Sequence, residues 1–181
     1  MTTHLLLPDN TVLVRFARIQ RMDLLTTLVR DNGRWCGTVA GECDRSANEP
    51  GLETMTQAHT IFGEPLRLQT GQEIVDTTTI RTSLAAPGDA PTRHLGEAET
   101  ISIITNRGLS AFFVTDDRSA AQRAQEHGIR TYTTWDLLRL AARIGLLTAD
   151  DAYDYVRELG GHREKLAHVQ TRAIWLTWCA T

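Results

Sequence analysis

The sequence predicts an α/β sandwich built on a largely parallel sheet. Three observations predict it. Short apolar, β-prone runs alternate with helix-patterned segments; acids come just after three of those runs, as Asp9, Glu42 and the Asp116-Asp117 pair; and 181 residues, 41% hydrophobic and 23% charged, suit one domain with its own core. Neighbouring parallel strands bring their carboxyl ends to a common edge, so acids from distant parts of the chain converge there.

Residues 5–7 form a short strand stopped by Pro8. Residues 12–29 are helical in pattern, with apolar Val12, Leu13, Phe16, Met22, Leu24, Leu25 and Leu28, and Asp31-Asn32-Gly33 ends the run. Residues 35–39 read as a second strand, followed by a short helix through Glu42 that Asn48-Glu49-Pro50-Gly51 breaks, and by another helix over residues 52–62. Residues 64–93 carry no clear period; they contain Thr77-Thr78-Thr79 and a Pro- and Gly-bearing loop over residues 85–91.

A helix over residues 96–107 leads to the strongly β-prone run 111–115, then to a helix over residues 118–127 closed by Gly128. Residues 129–132 give a further strand, followed by helices over residues 134–144 and 148–158. A tail over residues 164–181 brings Leu166, Val169, Ile174, Trp175 and Trp178, which either pack on the domain or present a partner surface.

The formal net charge of −3 lacks the basic excess that would by itself draw the chain to nucleic acid or an anionic membrane, so such a partner is held by local arginines or through bound metal. Arg15, Arg18, Arg45, Arg81, Arg93 and Arg118 are the candidates for phosphate. Residues 1–7 have neither the cationic flank nor the apolar length of a secretory signal, and no later stretch approaches a membrane span, which makes a cytoplasmic protein the expectation. Cys36, Cys43 and Cys179 are odd in number and lack metal-type spacing, so they read as packed thiols.

Each acid has a structural use as well as a chemical one. Asp9 is a helix cap in a Pro-Asp-Asn turn or a ligand at the end of the first strand. Glu42 either complements a helix dipole or faces the crevice. Glu97 and Glu99 open one helix but stand two residues apart, off a common face; Glu97 aligns with Ile101 and Ile104 and ranks first. Of Asp116 and Asp117 one caps the next helix and the other is free, with Thr115 available to orient it. Carboxylates gathered in one crevice repel unless protonated or joined by a cation, which points to hard divalent metal. His94 precedes the acidic helix and is expected at the surface.

The segments Leu-Pro-Asp-Asn-Thr-Val-Leu around Asp9, Val39-Ala40-Gly41-Glu42, Gly96-Glu97-Ala98-Glu99 and Val114-Thr115-Asp116-Asp117-Arg118 resemble those of PIN-domain ribonucleases, the fold of many bacterial toxins in toxin–antitoxin pairs. More specifically the chain resembles a subgroup with Gly-Glu-Ala-Glu at the third acidic position, and the likeness runs from about residue 5 to residue 159. The resemblance implies a PIN-like three-layer sandwich, with a mostly parallel central sheet flanked by helices, over residues 1–160, and a tail over residues 161–181. It implies that Asp9, Glu42, Glu97 and Asp117 bind one or two Mg²⁺ or Mn²⁺ ions, with Glu99 and Asp116 as further ligands or supporting groups, and that the reaction is hydrolysis of single-stranded RNA. An antitoxin protein and a second copy of the chain are the implied partners. The third position uses Glu where many members of the family use Asp.

Two other readings stand beside the nuclease. In one, a PIN-like module is catalytically silent and its tail docks a protein. In the other, the chain is a phospho-acceptor domain of response-regulator type, which wants an acidic pair after the first strand and a Lys after the last; here the pair follows a late strand and the one lysine is Lys165, in the tail.

Overall fold

The computed structural model describes residues 4–164 and 166–181. Residues 1–3 of the start weighed above as a leader, and Lys165, lie outside the described residues. Among the described residues the chain is a mixed α/β fold, mostly helical, with ten α-helices and a small three-stranded parallel sheet.

Strands β1 (Leu5–Pro8), β2 (Ala111–Val114) and β3 (Arg130–Tyr132) pair in the order β1-β2-β3. Leu7 lies opposite Phe113, and Pro8 opposite Val114. The two faces of the sheet feed different apolar clusters, as strand alternation requires. Leu7 and Phe113 pack with Ile80, Ala98, Ile101 and Ala120, from α5 (Gly71–Leu84), α6 (Leu95–Asn106) and α7 (Arg118–Glu126). Val114 joins the larger cluster on the other face, built from α1 (Asn10–Arg18), α2 (Met22–Val29), α3 (Gly37–Ser46), α4 (Ala58–Phe62), α8 (Thr134–Arg143) and α9 (Ala149–Glu158). Trp175 of α10 (Arg172–Ala180) is fully buried in that same cluster, and its indole N–H donates to Ala149 O at 2.9 Å.

Residues 35–39 do not form the expected second strand. Gly33 bridges Leu6 and Cys36 bridges Leu66, both in isolation, and the chain turns helical at Gly37. A short buried apolar run looks alike as a strand or as the entry to a buried helix; here Trp35, fully buried with its indole N–H on Gly63 O at 2.8 Å, is the anchor rather than a ladder residue. Glu42 consequently sits in the middle of α3 and not in its first turn.

The helical pattern over residues 12–29 is two helices. Gln20 takes a left-handed φ of 54°, and the bonds Gln20 N to Ala17 O and Arg21 N to Phe16 O close α1 in a Schellman turn. Likewise, residues 52–62 are a 3₁₀ segment, Glu53–Gln57, followed by the five residues of α4.

The unassigned stretch holds α5. Thr70 and Glu73 form a capping box at its start, and Glu73, 2% exposed, also pairs with Arg107 through Nε at 2.7 Å and Nη2 at 3.2 Å. Arg107 holds the Glu73 carboxyl down to about 2. Arg107→Ala leaves that buried carboxylate without its counter-charge and costs about 3 kcal/mol in urea unfolding at pH 7. Because the folded value is depressed, the contribution is complete above the ordinary 4.5 and is lost as pH falls toward 2.

Candidate functional site

The carboxyl ends of β1 and β2 place Asp9 and Thr115 side by side. Asp9, 4% exposed, caps α1 by accepting from Val12 N at 2.9 Å, and its other oxygen accepts from Thr115 Oγ1 at 2.5 Å. The same hydroxyl accepts from Asp117 N at 3.1 Å, so one threonine ties the Asp9 carboxylate to the backbone of Asp117. Burial pushes the Asp9 carboxyl up to about 7, with Asp116 and Glu97 adding repulsion and the two hydrogen bonds opposing it.

Asp116 and Asp117 divide their tasks. Asp116 turns to the start of α8, accepting from Thr134 N at 2.8 Å and Thr134 Oγ1 at 2.5 Å, and it pairs with Arg15 at 3.3 Å. Arg15 also bonds Glu164 at 2.7 Å and lies over the Trp135 ring. Asp117 caps α7 through one oxygen, which accepts from Ala120 N at 2.9 Å.

Helix α6 contributes the third acidic position. A ring nitrogen of His94, a carboxylate oxygen of Glu97 and one of Asp117 all lie within 4.8 Å of one another. Glu99 points elsewhere: it is 6% exposed and accepts from Thr38 N at 3.0 Å, satisfying the first turn of α3. Glu42 approaches from α3, which packs against α6 where Gly96 has no side chain; a Cβ there would stand 3.2 Å from Glu42 Oε2 and 3.0 Å from a Val39 methyl. Burial first, then Glu97 and Glu99, push the Glu42 carboxyl up to about 7, against the pull of Arg45.

The chain matches no protein-family model and no curated protein. Local geometry and chemistry therefore carry the functional reading.

Of the six acids, Glu97 and Asp117 stand together, Asp9 and Glu42 feel the charge of Glu97, and both oxygens of Asp9 and of Asp116 and one of Glu99 accept hydrogen bonds inside the protein. His94 is not at the surface: its side chain is 10% exposed, and Nδ1 has no hydrogen-bond partner. Three of the arginines weighed for phosphate are engaged internally. Arg15 holds Asp116, Arg81 donates to Ala90 O and Arg93 O, and Arg93 pairs with Asp89 at 3.2 Å. Exposed Arg45 remains close enough to act on Glu42.

Sequence reasoning missed Arg15 and Thr134 as the partners of Asp116. The signal was present in the second case, since Thr133-Thr134 opens a helix whose unpaired N–H groups attract a carboxylate.

The donor set fits a divalent cation. Four carboxylates from four segments, two of them lifted toward neutrality by burial and mutual repulsion, together with a buried imidazole nitrogen lacking a partner, form an environment that a cation relieves.

Proposed function

We propose that this chain is a PIN-like, metal-dependent ribonuclease that hydrolyses phosphodiester bonds in single-stranded RNA. The observation that carries this reading is the meeting of Glu97 and Asp117, from the start of α6 and the end of β2, beside a buried Asp9 and a half-buried Glu42 whose protons are held up to about pH 7. Helices on both faces of the parallel sheet agree with the three-layer sandwich of that fold.

In this reading Asp9, Glu42, Glu97 and Asp117 hold Mg²⁺ or Mn²⁺. Bound there, the metal supplies a water of lowered pKa and offsets charge developing on the phosphodiester. The protein's own part is positioning. Thr115 fixes Asp9 against the Asp117 backbone, the Gly96 contact sets α3 against α6 so that Glu42 faces Glu97, and Arg45 offers a positive charge to an approaching phosphate. Asp116 and Glu99 act one step removed, Asp116 by tying β2 to α8 and Glu99 by holding the start of α3.

On the same resemblance the chain is a cytoplasmic toxin whose partner is an antitoxin protein, and pairing of two copies would bring two acidic edges together. No helix among the described residues is long and apolar enough to cross a membrane. The silent-module reading draws on the internal engagement of Asp116 and Glu99, which leaves fewer free oxygens at the edge.

Incubation with a fluorescently labelled single-stranded RNA separates the two readings. The nuclease cleaves on addition of Mg²⁺ or Mn²⁺ and stops with EDTA. Absence of cleavage, together with no metal binding at millimolar concentration, favours the silent module.

A further inference from the structure

We propose that His94 supplies a nitrogen ligand to the cation held at Glu97 and Asp117, biasing the site toward Mn²⁺ over Mg²⁺. The proposal rests on the metal-centre reading above and adds to it a residue type that the acidic motifs do not contain.

His94 sits at the N-cap of α6 with a left-handed backbone, φ 62°, a conformation in which His is enriched among non-glycine residues. Its side chain is nine-tenths buried, and Nδ1 faces Glu97 Oε1 at 3.5 Å without forming a hydrogen bond. A buried ring nitrogen left unpaired costs about 1–3 kcal/mol of desolvation, which a ligand at that atom recovers. The obvious ligand is the one its neighbours call for, since the same imidazole lies within 4.8 Å of oxygens from both Glu97 and Asp117.

The other ring nitrogen is held by the loop between α5 and α6. Nε2 accepts from Arg93 Nε at 3.4 Å, and Asp89 Oδ2 lies 3.9 Å away, beyond hydrogen-bond reach. Asp89 is itself pinned, with Oδ2 accepting from Ala86 N at 2.7 Å and Oδ1 pairing with Arg93. Ligation through Nδ1 needs the ring proton on Nε2, so cation binding exchanges the long Arg93 hydrogen bond for a contact with the Asp89 carboxylate on the same side of the ring. Imidazole suits first-row transition metals, whereas Mg²⁺ prefers oxygen throughout, so the nitrogen selects between the two ions that the carboxylates alone would accept.

The test uses MnCl₂ with the full-length chain, read by pulsed electron paramagnetic resonance for coupling of Mn²⁺ to a ligating ¹⁴N, and by calorimetry with Mn²⁺ and Mg²⁺. The wild type shows the nitrogen coupling. His94→Asn, chosen because Asn tolerates the left-handed backbone, loses the coupling and at least about tenfold in Mn²⁺ affinity, with less than about threefold change for Mg²⁺. Mn²⁺ bound to the wild type without nitrogen coupling overturns the assignment of His94 while leaving the carboxylate centre standing. Equal losses of both ions in the variant also overturn the Mn²⁺ bias. A wild type that binds no Mn²⁺ overturns the ligand and the centre together.

Discussion

On the proposed nuclease reading, Asp117→Asn is expected to lower RNA cleavage by about a thousandfold or more while the chain stays folded. The magnitude follows from the several kcal/mol that a bound metal contributes to charge stabilisation, at about 1.4 kcal/mol per decade of rate. Folding is spared because Asn is as good an N-cap as Asp, so its side-chain oxygen still accepts from Ala120 N and α7 keeps its start. Only the negative charge beside Glu97 and His94 is lost. Circular dichroism and thermal melting of the metal-free proteins should coincide for wild type and variant, and single-turnover cleavage rates should not. A variant that cleaves at the wild-type rate removes Asp117 from the chemistry.

On the same reading Asp9→Asn is expected to cost as much cleavage but, unlike Asp117→Asn, to change stability. The folded chain holds the Asp9 proton to about pH 7 against an ordinary value of 3.8, so it binds that proton more tightly than the unfolded chain does. The stability associated with the protonated form is therefore complete below about pH 4 and is lost as pH rises through 7. Glu42, raised from 4.5 to about 7, adds to the same trend over the same window. Metal-free wild type melts at a lower temperature at pH 8 than at pH 5 as far as these two groups decide it. Asn at position 9 keeps an oxygen to accept from Val12 N, turns its NH₂ to donate to Thr115 Oγ1, and carries no charge to bury. It stabilises the metal-free chain at pH 8 by up to about 4 kcal/mol, the worth of some three pH units at 1.36 kcal/mol each. Melting curves of both proteins at pH 5 and pH 8 with EDTA present check this. A variant less stable than wild type at pH 8 would mean that Asp9 is paired with a cationic group and not merely buried.

How much of this was readable from residues alone follows from where each signal lies. Helix α7 and the strands flanking it were legible because Asp117, Gly128 and the run Ala-Phe-Phe-Val mark start, stop and ladder within a few residues of one another. The break between α1 and α2 was hidden, since Gln20 takes the left-handed turn that glycine ordinarily announces. Helix α5 was missed although Thr70 and Glu73 spell a capping box, because its apolar Ile74 and Val75 face solvent while Glu73 and Thr77 are buried, inverting the usual period.

At the site, Asp9, Glu97 and Asp117 were visible because each stands at the junction of a strand end or a helix start, a position that sequence order itself defines. His94 was not, since its burial depends on the loop between α5 and α6 folding back so that Asp89 and Arg93 close over the ring. Nor could adjacent Asp116 and Asp117 be told apart before Arg15 and Thr134, from two other helices, were seen to claim the first of them.

The proposed chemistry stands on the acidic edge binding a divalent cation. Titration of Mn²⁺ into wild type and Asp117→Asn by isothermal calorimetry at pH 8, where Asp9 and Glu42 have given up their protons, tests it most directly. A cation site at this edge gives saturable binding to the wild type and an affinity at least about tenfold weaker in the variant. No binding to either protein at millimolar Mn²⁺, or the same affinity in both, would contradict it.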